Sequence, residues 1–224
     1  MFKTKLSELG ASKEFYTSKL ADRHIGAIAV LILISLLSSL SGTPAIHAIS
    51  NSWEGFLWGV ADPVIRLDCL VGIVAIGLLS AIFVRGALVI ASFALAAVLG
   101  IVIHLFQVNF PGTEIALAIS TIVLSIMLIV PTQANFVILA LMGASVGLFQ
   151  GYAVSQSIIQ SQIIPLFTYI LGMALTQLAV TLSVREIGAA MGMAEINRVS
   201  TWKISVAGFC LFAMAIAFFS NSII

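Results

Sequence analysis

The densest group of ionisable residues in this sequence lies inside an apolar stretch, at Asp62-Pro63-Val64-Ile65-Arg66-Leu67-Asp68-Cys69. Charges in a hydrocarbon setting are costly, and they mark ion pathways or paired structure. Asp62, Asp68 and Cys69 could ligate or desolvate a small cation, and Arg66 could pair with a carboxylate. In one continuous helix, Asp62 and Arg66 sit one turn apart and can pair. Asp62 and Cys69 then share a face, while Asp68 points elsewhere and needs another partner. Each residue also has a plainer reading. The three charges can be an ion cluster that holds a helix broken near Pro63. Cys69 can be a small packing residue.

Other polar groups punctuate the apolar stretches. His104 and Gln107 end one, Glu114 begins the next after Pro111-Gly112, and Gln150 and Tyr152 end another. Together they could form a polar vestibule, with Gln177 lying deeper. His104 also reads as a helix-end histidine, and Glu114 as an acidic residue in a first helical turn. Trp53 and Trp58 read as interface anchors. Gly143, Gly147 and Gly151 recur at helical spacing and allow a second backbone to approach, within one bundle or across a dimer.

The elements that position these residues are transmembrane helices. The chain is 61% hydrophobic and 8% charged, with a mean hydropathy of +1.18. Soluble domains carry roughly 25% charged residues, so a water-soluble fold is excluded. Apolar blocks at 25–40, 56–84, 87–106, 114–130, 135–150, 163–184 and 204–220 suit a bilayer. The fold class is therefore all-α, a polytopic transmembrane helix bundle of about seven spans. The second block is overlong and contains Pro63, which predicts a short helix or re-entrant piece followed by a full span.

Charge placement sets an orientation. With the N-terminus inside and seven spans, Lys3, Lys5, Lys13, Lys19, Arg23, Arg85, Arg185, Arg198 and Lys203 all face the cytoplasm. Only Arg66 is left over. The C-terminus is then outside, and His104, Glu114, Gln150 and Tyr152 lie toward the outer side. Residues 1–24 form a basic cytoplasmic tail, either surface-lying or solvated. Residues 25–48 are a first anchor, or a signal cleaved after Ala48 that leaves six spans. A helix bundle at 52–184 follows, then a cytoplasmic loop at 185–203 and a last span at 204–224. Gly188 and Gly192 fall in that loop.

Other function classes recede. A net charge of +1 gives no reason to expect nucleic acid, and two cysteines are too few for a thiolate site. No phosphate-binding loop, dinucleotide glycine pattern, nucleophile elbow or zinc-protease motif appears. An enzyme is not expected, and no cofactor is implied.

The Asp62–Cys69 segment resembles the HupE/UreJ family, the hydrogenase and urease accessory permeases associated with nickel or cobalt uptake. The family hallmark is His-Pro, four residues, then Asp-His, before an Ala/Gly-rich span. Val71-Gly72-Ile73-Val74-Ala75-Ile76-Gly77-Leu78 fits that span. Pro111-Gly112-Thr113-Glu114 resembles the family's Pro-Gly-x-Glu. Phe149-Gln150-Gly151-Tyr152-Ala153-Val154 resembles a His-Gly-His-Ala-His segment with every histidine replaced, and Gln177 falls near a further family histidine. The resemblance covers roughly residues 52–184. It implies a permease with a divalent cation as substrate, in a bacterial cytoplasmic membrane or, in a phototroph, a thylakoid. Imidazole is the usual nitrogen ligand for Ni²⁺ or Co²⁺. Here Asp62, Cys69, Gln150, Tyr152 and Val154 replace it, leaving Asp62, Asp68, Cys69 and Glu114 as metal candidates. Arg66 would occupy, electrostatically, the place of the cation. Two functions remain open: a transporter of a small cation, or a non-transporting subunit or assembly factor of a larger membrane complex. Expected partners are the lipid bilayer, together with membrane-complex proteins or a second copy of the chain. A pH-coupled small-solute carrier is a third, weaker reading.

Overall fold

The computed structural model describes residues 24–38, 47–130, 135–156, 158–159, 163–191 and 198–223. The basic tail up to Arg23, residues 43–46 of the processing-like segment, and Gly192 lie outside the described residues. The fold is all-helical. The helices are α1 (His24–Ser38), α2 (Ser52–Ile65), α3 (Leu67–Ile82), α4 (Gly86–Leu105), α5 (Thr113–Ile129), α6 (Phe136–Ser155), α7 (Ile163–Ala190) and α8 (Arg198–Ile223). They follow the expected apolar blocks in order.

By length and apolarity α4, α6 and α7 can each cross a bilayer, and α2 with α3 makes a fourth candidate, bent by 76°. α1, α5 and residues Ile204–Ser220 of α8 are shorter apolar helices. α7 runs on to Ala190, so Arg185 and Gly188 are helical, and α8 already begins at Arg198. Helix therefore covers both ends of the 185–203 stretch. Two-residue strands, β1 (His47–Ala48) and β2 (Ile158–Ile159), pair in parallel and join the segments before α2 and after α6.

α3 is the centre of the bundle. Leu70, Ile73, Ala75, Ile76 and Leu79 are fully buried, and α2, α4, α5, α6, α7 and α8 all touch this helix. Two helix pairs around it pack backbone to backbone. A Cβ at Gly59 would lie 2.2 Å from the Tyr169 carbonyl oxygen, and one at Gly55 2.2 Å from that of Pro165. Glycine alone lets α2 approach α7 this closely. The Gly147–Gly151 stripe does the same for α6. Cβ atoms there would lie 2.1 Å from the Phe93 carbonyl oxygen and 1.9 Å from that of Ala97, both on α4. That stripe is packing within the bundle, and Gly143 extends it against Val89 at 3.3 Å.

Candidate functional site

α2 starts on a reciprocal cap. The Asn51 side chain accepts from the Glu54 N–H at 2.8 Å, and the Glu54 carboxylate accepts from the Ser50 N–H at 3.0 Å and hydroxyl at 2.6 Å. It ends after Pro63, whose missing N–H weakens the last turn. Arg66 is extended, at φ −80° and ψ 107°. Its N–H still donates to the Asp62 carbonyl at 3.1 Å, and its own carbonyl accepts from the Leu70 N–H at 3.0 Å. One residue therefore closes α2 and opens α3.

This break gives Arg66 a partner two residues away that a continuous helix would not bring to it. Arg66 turns to Asp68, its Nη2 donating to Oδ2 at 2.9 Å and its Nε to Oδ1 at 3.5 Å. Its Nη1 reaches the Ala153 carbonyl on α6 at 3.2 Å. The missing partner of Asp68 is thus Arg66 itself, held in a two-pronged contact. The Arg66 and Asp68 side chains are 15% and 27% exposed. Asp62 is buried, and Tyr169 of α7 donates its hydroxyl to Asp62 Oδ2 at 2.7 Å. Tyr169 also packs with buried Cys69, Met173 and Val154. Asp62 and Cys69 therefore both border Tyr169, although no single helical face carries them.

The other expected site residues separate into three places. Glu114 is exposed in the first turn of α5, away from this cluster. Tyr152 is buried against the 108–110 turn, accepting from the Phe110 N–H and donating to the Val108 carbonyl, each at 3.0 Å. The His104 ring meets Tyr152 edge-on, with centroids 4.9 Å apart. His104 and Tyr152 do come together, but as a packed, hydrogen-bonded corner. Gln150 and Gln177 lie in the core instead, fully buried. Gln150 Oε1 is 3.3 Å from the point a Gly72 Cβ would take, and Thr121 Oγ1 is 3.9 Å from it. Among the described residues, neither glutamine's Oε1 nor Nε2 has a hydrogen-bond partner. Each such group costs about 1–3 kcal/mol if nothing satisfies it.

Among the described residues, no three of His, Cys, Asp and Glu stand close enough to share a metal ion. Asp62, Asp68, Cys69 and Glu114 are thus not assembled as one metal-binding set. The cluster is a helix break at which Arg66 compensates Asp68. The sequence reading missed Tyr169. Its only signal was that a tyrosine within an apolar span must find a partner for its hydroxyl.

A broken helix carrying charge inside an apolar bundle is a feature that many transporter folds share. The model for "HupE / UreJ protein" matches residues 34–218, and the chain belongs to that family. No curated protein and no solved structure matches it.

Proposed function

We propose that this protein is a small-cation permease built on the HupE/UreJ scaffold, rather than an enzyme, with its cation path at the α2/α3 break. The observation that carries this reading is the break itself, where Asp62 and Asp68 flank an extended Arg66 inside the bundle. Carboxylates at such a break can take over from a cation's hydration shell. Arg66 balances the charge of Asp68 when no cation is near, and an arriving cation competes with its guanidinium for that carboxylate. The family's nickel and cobalt association suggests a divalent substrate. The distribution of the basic residues supports a cytoplasmic N-terminus, and the membrane proposed is a bacterial cytoplasmic membrane or a thylakoid.

Cells expressing the wild type should gain divalent cation over cells expressing Asp68→Asn, read by elemental analysis at matched protein levels. Equal cation content in the two strains refutes the proposal.

The Arg66–Asp68 pair favours a second reading, in which Asp68 is permanently compensated and the scaffold serves a larger membrane complex. Stable co-purification with such a complex, without cation flux, would establish it.

A further inference from the structure

The first helix reaches the helix break. Ile28, Leu31, Ile32 and Ser35 make up the inward face of α1, at i, i+3, i+4 and i+7, while the residues between them are exposed. The three apolar members pack in the core cluster around α3. The fourth is fully buried, and its hydroxyl donates to the Ile65 carbonyl at 3.3 Å, 30 positions along the chain. Ser80, Ser120, Ser125 and Ser145 return their hydroxyls to carbonyls three or four residues back in their own helices. Ser35 crosses to another helix, at the residue just before the break.

α2 stops at Ile65, so its last carbonyls lie beyond the reach of its own N–H groups. Ile65 and Arg66 share one peptide unit. Its N–H donates to the Asp62 carbonyl at 3.1 Å, and its carbonyl accepts from Ser35 at 3.3 Å. The unit is planar, so bonds at both edges fix its rotation. That sets the direction in which the chain enters Arg66, whose guanidinium holds Asp68 and the Ala153 carbonyl.

We propose that Ser35 is a positioning residue for the cation path, setting through the Ile65–Arg66 peptide how firmly Arg66 holds Asp68 against an arriving cation. This rests on the permease reading above. Without the hydroxyl the peptide can turn, Arg66 grips Asp68 less firmly, and the Ile65 carbonyl is released. Carbonyls at unwound helix ends serve as cation ligands in transporters. Both changes favour the cation, so its binding tightens. α1 is then a working part of the permease, and a chain cleaved after Ala48 would lose the contact.

The test follows Ni²⁺ entry into proteoliposomes holding the full chain, across a range of Ni²⁺ concentrations. Ser35→Ala should lower the half-saturating concentration about three- to tenfold, the worth of one hydrogen bond. Ser35→Cys keeps the volume with a weaker donor and should shift it the same way by less; it replaces the alanine variant if that one aggregates. Ile28→Val trims the same face without touching the hydrogen bond. It should keep the half-saturating concentration within about twofold of wild type, whatever it does to stability. An unchanged or raised half-saturating concentration in the Ser35 variants overturns the inference and leaves the permease reading standing. So does an equal shift in Ile28→Val, or full flux by a chain whose intact mass shows residues 1–48 removed. No Ni²⁺ entry in the wild type overturns both.

Discussion

Arg66→Met is the perturbation that probes the helix break most sharply. It removes the donors at 2.9 and 3.5 Å to Asp68 and the one at 3.2 Å to the Ala153 carbonyl. Stripping one partner from a buried ion pair costs about 3–5 kcal/mol. Asp68 is 27% exposed, so water takes part of that load. A loss of about 2–3 kcal/mol is therefore expected. Adding Asp68→Leu removes the stranded charge and should return stability to within about 1 kcal/mol of wild type. The assay is equilibrium unfolding of the purified chain in mixed micelles, read by circular dichroism. The double variant should show a coupling energy of at least about 1 kcal/mol. A single variant within about 0.5 kcal/mol of wild type, or additive effects, would refute the reasoning.

Four further outcomes follow from the packing. Tyr169→Phe should cost about 1–3 kcal/mol by the same assay, since Asp62 loses its 2.7 Å hydrogen bond; no change would mean that another group already satisfies that oxygen. Gly59→Ala should destabilise by about 1–3 kcal/mol because its Cβ would meet the Tyr169 carbonyl at 2.2 Å. Gly26→Ala, with nothing within 4 Å, should be neutral or slightly stabilising, so equal effects at the two positions would contradict the α2–α7 packing. In detergent, a maleimide counted by mass spectrometry should label exposed Cys210 and spare buried Cys69 until the chain is unfolded.

The helix order was legible because a bilayer demands long apolar blocks, and each block became a helix or, at 56–84, a broken pair. The break was legible too, since Pro63 and three nearby charges cannot sit quietly in one apolar helix. Partner choice was not. An i,i+4 pairing of Asp62 with Arg66 presumes a continuous helix, and a single extended residue brought Arg66 onto Asp68, a partner that spacing alone did not name. The Tyr169–Asp62 contact spans 107 positions and depends on two glycines that let α2 lie on α7. Gln150 was expected in an outer vestibule with Tyr152. The two are half a turn apart on α6, which aims one at Gly72 and the other at the 108–110 turn. Glu114 shares the resemblance to the family motif, yet the cap of α5 leaves it exposed. Spacing in one chain says which residues could meet, and helix packing decides which do.

Divalent cation flux through Asp68→Asn, beside wild type in matched proteoliposomes, tests the central claim most directly. Asparagine keeps the shape and removes the charge that Arg66 and a passing cation would share. The expected result is flux in the wild type and its loss, about tenfold or more, in the variant, with the helical spectrum unchanged. Equal flux in the two proteins, or none in the wild type, would contradict the account.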